Sequence, residues 1–248
     1  MTALTILTGS SRGLGAALAR LLAGRGGHLL TVSRGGSVEL AAACAASGTS
    51  HTHLTLDLAS ADAVSDAGTM LADVCAGHSS VRLIHNAGVV APIALAHQLD
   101  DLDQINRTYQ VNITAPIFLT SHVLAGSQSA TDRRVMLISS GAGRSPTAGW
   151  SVYCSTKAAL DRYAEVVALE QGERLRIASV APGVIDTGMQ EELRSADPER
   201  FPAIQRFIDF HAGQQLASPD AVAERLLRLF DSDQFGQKII DDIRHHPS

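Results

Sequence analysis

The 248-residue sequence predicts a doubly wound α/β fold, with a parallel sheet of seven strands and helices on both faces. Two observations support this prediction. Short, nearly continuously apolar runs alternate with longer stretches rich in alanine and leucine, and strands that are buried on both faces have this apolar character. The separations between the runs also leave room for a crossover helix between successive strands.

Seven β-prone runs are the candidate strands. In chain order they are Leu4–Thr8, Leu29–Ser33, Leu54–Leu58, Val81–His85, Arg134–Ser139, Arg176–Val180 and Lys238–Ile243. Between the first two runs, leucines recur at helical spacing and several glycines follow them, which predicts a helix that ends before the second strand. The first part of the chain is therefore predicted to be a β-α-β unit.

One stretch towards the C-terminus departs from this alternation. After Glu191 the pattern becomes irregular, with several prolines and a local cluster of phenylalanines. We expect residues 188–218 to form an insertion that covers the substrate, because no linker, repeat or low-complexity tract separates a second domain. Residues 1–248 are therefore predicted to form one domain, a size that α/β folds reach as a single unit.

Composition and charge argue against several classes of partner. The chain is 45% hydrophobic and 18% charged, and no apolar run approaches the roughly 20 residues that span a bilayer, so no membrane association is expected. The net charge is −5 and the basic residues are scattered, so nucleic acid is not an expected partner. The start of the chain lacks the pattern of a secretory signal, which makes the cytoplasm the expected compartment.

Cysteine and histidine patterns give no indication of a metal site. Cys44, Cys75 and Cys154 are scattered and form no C-x-x-C pair, so we interpret them as reduced thiols. The histidines lack a paired helical spacing such as H-E-x-x-H. No bound metal is therefore expected.

A glycine-rich turn follows the first predicted strand, with the sequence Thr8-Gly9-Ser10-Ser11-Arg12-Gly13-Leu14-Gly15. Glycine tolerates positive φ and has no side chain, so a pyrophosphate can rest against free N–H groups at the N-terminus of the next helix. The turn lacks the Gly-Lys-Ser/Thr of a P-loop, and its spacing differs from the common G-x-G-x-x-G. A dinucleotide site and an ordinary glycine-rich turn are both compatible with this motif alone.

The pattern T-G-x-x-x-G-x-G resembles the nucleotide loop of the classical short-chain dehydrogenase/reductase family. The resemblance implies a Rossmann-like domain that binds a nicotinamide cofactor. It also implies which residues of the turn bind that cofactor, namely Gly9, Ser11, Arg12, Gly13, Leu14 and Gly15.

The resemblance also bears on which nicotinamide cofactor is used. In that family an acidic residue at the end of the second strand selects NAD, whereas basic residues there and in the glycine loop accept the NADP phosphate. Here Ser33-Arg34 and Arg12 occupy these positions, and two guanidiniums favour a dianionic phosphate. NADP(H) is the predicted cofactor; the alternative is that Arg34 is a solvated surface residue.

Three further segments resemble the family in the expected order. Asp57-Leu58 follows the third strand, where the family places an aspartate near the adenine, and Asn86-Ala87-Gly88 follows the fourth strand, like its N-A-G segment. Pro182-Gly183, with Ile185 and Thr187, matches the segment that holds the nicotinamide amide. The alternatives are a helix cap at Asp57 and a plain turn at Asn86-Ala87-Gly88.

Tyr153 and Lys157 are four residues apart, so in a helix they share one face. A free phenol has a pKa of roughly 10, and a nearby ammonium stabilises the phenolate. Lys157 is therefore expected to lower the pKa of Tyr153 towards the working pH. Because tyrosine and lysine often fall at this spacing by chance, the pair alone is a weak signal.

The resemblance implies roles for these residues and adds two more. The family's catalytic serine lies thirteen residues before the tyrosine, which selects Ser140 and leaves Ser139 in reserve. Ser140 would polarise the carbonyl, as an oxyanion hole does, and Tyr153 would protonate it. Lys157 would bind the nicotinamide ribose and tune Tyr153, and Asn112 would hold a water in a proton path. The hydride step belongs to the cofactor.

The flanks of these motifs resemble sepiapterin reductases and bacterial benzil reductases. The matching stretches are Gly149–Cys154, Lys157–Asp161, Pro182–Gln190 and, for the bacterial enzymes, Asn86–Ile93. The resemblance implies that the substrate is a small-molecule ketone, either a vicinal dicarbonyl or a pterin side-chain ketone, reduced with NADPH. A 3-oxoacyl-carrier-protein reductase is the second enzyme candidate, and an NADPH-binding sensor is the candidate without enzyme activity.

Four residues are candidates for further substrate contacts. Trp150 would form an aromatic wall of the pocket or pack in the core, and Met189 lies in a matching stretch. Sepiapterin reductases anchor the pterin through an aspartate near the C-terminus, for which Asp241 and Asp242 are the candidates. A buried carboxylate there would favour a pterin, and a solvent-facing one a simpler diketone. Helix capping and surface solvation are the alternatives for this pair.

Two long stretches of helical composition, residues 100–128 and 150–171, are candidates for an intersubunit helix face. The family resemblance implies a homodimer or homotetramer joined through these helices. Apolar helix faces alone do not fix the symmetry of such an assembly.

Overall fold

A computed structural model describes residues 3–246, which contain one seven-stranded parallel sheet. The strands are β1 (Ala3–Thr8), β2 (His28–Ser33), β3 (Ser50–Thr55), β4 (Ser80–His85), β5 (Asp132–Ile138), β6 (Arg176–Ala181) and β7 (Ile240–Asp242). Their order across the sheet is β3-β2-β1-β4-β5-β6-β7, and every neighbouring pair is parallel. The predicted doubly wound, Rossmann-like fold is confirmed.

Helices cover both faces of the sheet. They are α1 (Gly13–Ala23), α2 (Val38–Ser47), α3 (Ala61–Cys75), α4 (Leu102–Tyr109), α5 (Ala115–Gly126), α6 (Ser151–Gln171), α7 (Gly188–Arg194), α8 (Ile204–Ala212) and α9 (Pro219–Asp231). Helices α1, α2 and α9 share one apolar core with Leu7 of β1. Helices α3, α5 and α6 share the other core with Leu4 and Ile6. Burial on both faces explains why the central strands are apolar almost throughout.

The strand order places a crevice beside β1. Strands β1 and β4 are neighbours, and the chain leaves β1 towards β2 on one side but leaves β4 towards β5 on the other. In open α/β sheets, ligands bind outside the carboxyl ends of the strands at such a switch point. The glycine-rich turn after β1 and the Asn86-Ala87-Gly88 segment after β4 therefore meet at one place.

The two edge strands differ from their predicted bounds. Strand β3 covers Ser50–Thr55 and not Leu54–Leu58. As an edge strand it tolerates polar, half-exposed side chains, whereas Leu56 and Leu58 are buried beyond its end. At the other edge, β7 is limited to Ile240–Asp242, because the chain turns into a 3-10 helix at Ile243.

The predicted helical stretch of residues 100–128 is interrupted. Helices α4 and α5 are separated by a π-helical segment, Gln110–Thr114. Pro116 falls in the first turn of α5, where proline is tolerated. Single π-helical turns are frequent at functional sites. Within residues 3–246, no helix is both long and apolar enough to cross a membrane.

Candidate active site

A cleft of about 530 Å³ lies at the carboxyl ends of the strands, within the size range of small-molecule sites. Of the predicted cofactor-binding residues, all line this cleft: Gly9, Ser11, Arg12, Gly13, Leu14, Gly15, Ser33, Arg34, Asp57, Leu58, Asn86, Ala87, Gly88, Tyr153, Lys157, Pro182, Gly183, Ile185 and Thr187. Ser140, Trp150 and Met189 line it too, whereas Asn112, Asp241 and Asp242 do not.

The glycine-rich turn packs too closely for any side chain at two positions. A Cβ on Gly15 would lie 1.9 Å from the Gly9 carbonyl oxygen, and a Cβ on Gly9 would lie 2.7 Å from Cα of Ala87. Gly9 also has φ of +71°, in the left-handed region. The Asn86 amide fixes the turn by donating to the Thr8 and Gly9 carbonyls at 3.2 and 3.0 Å. Backbone contacts therefore define this end of the cleft.

The N-terminus of α1 is open to an anion. No side chain caps it, and its first turn carries no acidic residue. Its free N–H groups and the helix dipole therefore face the cleft without a competing carboxylate. Arg12 and Arg34 are exposed at the same rim, and within residues 3–246 neither is paired with a carboxylate.

Asp57 is the carboxylate nearest the end of β3, and it serves a local turn. Its Oδ1 accepts from the backbone N–H of Ala59 at 3.0 Å. Its Oδ2 lies 3.7 Å from the Arg107 guanidinium, in a half-exposed ion pair. Asp57 lines the cleft, whereas the N-cap of α3 is Ser60, so the alternative that Asp57 caps a helix is wrong.

Tyr153 and Lys157 lie on the cleft-facing side of α6 and are 5% and 4% exposed. The Lys157 Nζ lies 5.7 Å from the centre of the Tyr153 ring. It donates to the carbonyl of Ile138, at the end of β5, at 2.9 Å. Helix α6 thus places the phenol and the ammonium together against the end of the strand that carries the candidate serines.

The two candidate serines have different surroundings. The Ser139 hydroxyl donates to the buried carboxylate of Asp161 at 2.7 Å, away from the phenol. The Ser140 side chain accepts from the Ala142 N–H at 3.1 Å and hydrogen-bonds the Tyr153 side chain. The geometry therefore supports Ser140 as the partner of Tyr153.

Burial controls the protonation of both α6 side chains. It raises the pKa of Tyr153 to about 12, although the hydrogen bond with Ser140 acts in the opposite direction. Burial lowers the pKa of Lys157 to about 8, partly offset by attraction to Asp161. The expected lowering of the phenol pKa by Lys157 is therefore wrong, because the effect of burial is larger. Near neutral pH the phenol keeps its proton and most of the lysine is charged.

Asn112 lies behind the cleft, in the π-helical segment, and is 1% exposed. Its Oδ1 accepts from the N–H of Val89 at 2.9 Å, and its Nδ2 donates to the Val89 carbonyl at 2.8 Å and to Thr156 at 3.1 Å. The side chain therefore ties the chain after β4 to α6. A Cβ on Gly88 would meet Asn112 Oδ1 at 3.5 Å and Lys157 Nζ at 3.7 Å, so these three residues adjoin.

The other end of the cleft is aromatic. Trp150 packs with its ring centre 5.0 Å from that of Tyr153, 5.2 Å from Phe207 and 5.5 Å from Phe201. It also lines the cleft, so it is both a core residue and a wall of the pocket. Residues 188–218 contain α7 and α8, whose Met189 and Phe207 complete this wall.

The structure does not bring the two C-terminal aspartates to the cleft. Both carboxylates are buried and satisfied within their own segment. Asp241 bonds to His246 at 2.6 Å, and Asp242 bonds to Arg244 through both oxygens, at 2.9 and 2.7 Å. Both carboxylates lie in β7, whose neighbouring segment supplies their hydrogen-bond partners, and neither residue lines the cleft.

The family model described as short chain dehydrogenase matches residues 3–198. The chain belongs to the short chain dehydrogenase family. It is 34% identical to "Benzil reductase ((S)-benzoin forming)" of Bacillus subtilis (strain 168), over 96% of this chain and 97% of the relative. It is 32% identical to the sepiapterin reductase of Rattus norvegicus, over 94% and 93%. The solved structure of the KRED1-Pglu enzyme superposes with a TM-score of 0.81 at 28% identity, over 96% of this chain and 99% of that one.

This short chain dehydrogenase also has cleft residues that the sequence did not single out. Gln190 of α7 is buried, lines the cleft and leaves its Oε1 without a hydrogen-bond partner in the described chain. Arg244 lies against Gly183, near enough that a Cβ there would be 3.6 Å from its Cδ. Arg244 comes from the segment after β7, and no spacing in the sequence links it to Gly183. Gln190 lies in the stretch Pro182–Gln190, whose resemblance to the relatives was the one sequence feature that could have indicated a role for it.

Proposed function

We propose that this oxidoreductase reduces one carbonyl of a vicinal diketone with NADPH, and that Tyr153 supplies the proton. The observation that carries the proposal is a buried phenol beside Ser140 and Lys157, where the glycine end of the cleft meets its aromatic end; burial raises the pKa of this phenol. A group that keeps its proton at neutral pH suits the reductive direction, since it can donate that proton to a developing alkoxide.

The residues at the glycine end fit NADPH. The turn leaves no room for a Cβ at Gly9 or Gly15, and the uncapped N-terminus of α1 suits a pyrophosphate. Arg12 and Arg34 offer two guanidiniums for the ribose phosphate, and Ser33 brings no negative charge to the end of β2. When bound, the nicotinamide supplies the hydride.

We assign the protein side of the reaction to four residues. Ser140 hydrogen-bonds the carbonyl oxygen and stabilises the charge that develops on it. Tyr153 donates its proton to that oxygen. The Lys157 ammonium favours the phenolate that results and binds the nicotinamide ribose. Asn112 acts by positioning, since its amide holds the segment that packs Gly88 against Lys157.

The aromatic end favours a diketone with flat apolar substituents. Trp150, Phe207 and Met189 form an apolar wall beside the phenol. Both curated relatives are named for ketone substrates that carry rings, benzil and sepiapterin. Burial of Asp241 and Asp242 alone would favour a pterin, but neither residue lines the cleft. Both carboxylates are also already paired, so neither offers a free acceptor to the guanidine-like edge of a pterin. These features support the diketone over the pterin.

We also propose that the protein forms a homodimer or homotetramer through α5 and α6. Leu169 of α6 is 85% exposed, and Val166 and Ile117 are partly exposed on the same pair of helices. Burial of large apolar side chains between copies would stabilise such an assembly. Sedimentation of the purified protein measures its oligomeric state directly.

A substrate panel tests the proposed function. Purified protein is assayed for NADPH oxidation with benzil, sepiapterin and an acetoacetyl thioester, and each assay is repeated with NADH. We expect the highest kcat/KM with benzil and NADPH. Binding of NADPH without its oxidation by any ketone would instead identify a sensor. Preference for the thioester would identify a reductase of acyl chains.

A further inference from the structure

A buried carboxylate, Asp161, lies beside the proposed catalytic residues and has no part in the mechanism above. It is one helical turn after Lys157 and two turns after Tyr153 on α6, so the three side chains share one face. The side chain is 6% exposed. Burial of an unpaired charge is strongly unfavourable, so the partners of Asp161 show what holds it there.

Three donors from three different segments hold this carboxylate. Ser139 at the end of β5 and Ser179 of β6 donate to Oδ1 at 2.7 and 2.6 Å. Arg144, in the loop after Ser140, donates to Oδ2 at 3.0 Å. Asp161 therefore fixes the end of β5, strand β6 and the neighbouring loop against α6.

The residues that flank Ser139 bond to the other two members of this helix face. The carbonyl of Ile138 accepts from Lys157 Nζ at 2.9 Å, and Ser140 bonds to Tyr153. Three successive residues of one strand end thus each bond to a different turn of α6.

Few charged or titratable groups face Lys157. Among residues 3–246 they are Tyr153 and Asp161 on the same helix, with Arg144 bonded to the same carboxylate. The residues that other segments pack against its amine are Ile138, Gly88 and Asn112, and none of them ionises. Burial lowers the pKa of Lys157 to about 8, while attraction to Asp161 raises it.

We infer that Asp161 is a positioning residue whose charge keeps the buried ammonium of Lys157 protonated, and that Arg144 limits this effect by pairing with the same carboxylate. Arg144 is 30% exposed, so solvent screens its own charge more than that of Asp161. The catalytic consequence of this pairing rests on the proposed function. The charge interaction itself does not.

The composition of the chain allows a direct measurement. Lys157 and Lys238 are the two lysines of the sequence. The full-length protein labelled with ¹³C at lysine Cε therefore gives two NMR signals, whose pH titrations can be followed separately. Lys238 is 58% exposed and serves as the internal reference, and Lys238→Arg assigns the signals. The wild type is compared with Asp161→Asn and Arg144→Gln, without added cofactor.

The two substitutions should move the Lys157 titration in opposite directions. Asp161→Asn removes the attraction and leaves Arg144 unpaired, so the midpoint should fall by about one pH unit. Arg144→Gln leaves the carboxylate without its cation, so the midpoint should rise. Asp161→Glu keeps the charge and should stay near the wild type. Unchanged midpoints, or shifts of the same sign in the Asn and Gln variants, would overturn the inference.

Two features keep this test decisive. If Asp161→Asn fails to fold, the predicted upward shift in Arg144→Gln still tests the charge interaction. Benzil reduction separates the inference from the proposed function, because activity that needs the ammonium is lost as pH rises through the Lys157 midpoint. If the two variants shift the Lys157 midpoint in opposite directions but the protein does not reduce benzil, only the proposed function is rejected. If the protein reduces benzil but neither variant shifts the midpoint, only the role of Asp161 is rejected.

Discussion

The two ends of the cleft are built in different ways. At the cofactor end, backbone approaches backbone, and a Cβ on Gly15 would lie 1.9 Å from the Gly9 carbonyl. At the substrate end, aromatic side chains from separate segments pack at ring distances of 5.0 to 5.5 Å. The first end tolerates one residue type at each critical position. The second end tolerates exchange of one apolar side chain for another.

The largest effect is expected at the cofactor end, from Gly15→Ala. The new Cβ meets backbone atoms that cannot move independently, so we expect the free energy of unfolding to fall by about 1–3 kcal/mol. NADPH binding should be lost at concentrations that saturate the wild type, as measured by nucleotide fluorescence. Gly24→Ala, at the other end of α1, is the matched control, because its nearest neighbour would be 4.0 Å away. If Gly15→Ala bound NADPH as tightly as the wild type does, the steric difference between the two ends of the cleft would be contradicted.

An intermediate effect is expected from Arg34→Ala, which changes charge without changing the backbone. A hydrogen bond to a charged group contributes about 1.5–3 kcal/mol. Since Arg34 is exposed, we expect a loss at the lower limit of this energy range, which corresponds to roughly tenfold weaker NADPH binding. NADH binding should stay the same, because NADH lacks the phosphate. Arg162→Ala, a surface arginine of α6, is the control. An equal loss for both nucleotides would argue against a phosphate contact.

The smallest effect is expected at the substrate end, from Phe207→Leu. The substitution keeps an apolar side chain and removes an aromatic contact worth about 0.5–1.5 kcal/mol. We expect kcat/KM for benzil to fall by about two- to tenfold, while kcat/KM for the aliphatic diketone diacetyl changes less. Ile208→Ala on the same helix is the control, since Ile208 lies outside the cleft lining. Equal losses for both diketones would show that the ring does not contact the substrate.

The same contrast explains what the sequence could predict. The central strands were predicted because burial on both faces requires nearly continuous apolar residues. The glycine-rich turn was predicted because a turn without room for side chains requires glycine. The predicted bounds of the edge strand β3 were wrong, because a strand paired on one side permits polar residues such as His51 and His53. The π-helical segment Gln110–Thr114 that interrupts the predicted helical stretch of residues 100–128 had no clear sequence signal.

Side-chain partners were harder to predict than backbone elements. The sequence predicted that one C-terminal aspartate anchors the substrate, but Arg244 and His246 bond to these carboxylates. The pKa of Tyr153 was expected to be lowered, and burial raises it instead. The aspartates pair with residues only two and five positions away. The burial of Tyr153 and the choice of Ser140 over Ser139, which Asp161 decides, depend instead on packing between segments that are far apart in the sequence.

The most direct test of the account is a single-turnover measurement on Tyr153→Phe. Protein saturated with NADPH is mixed with benzil, and the loss of NADPH absorbance is followed in the wild type, in Tyr153→Phe and in the control Tyr163→Phe. Removing a general acid lowers rates by about 10²–10⁴-fold, so we expect a loss in that range for Tyr153→Phe, with NADPH affinity retained. Turnover by Tyr153→Phe at the wild-type rate would contradict the assignment of the phenol as the proton donor.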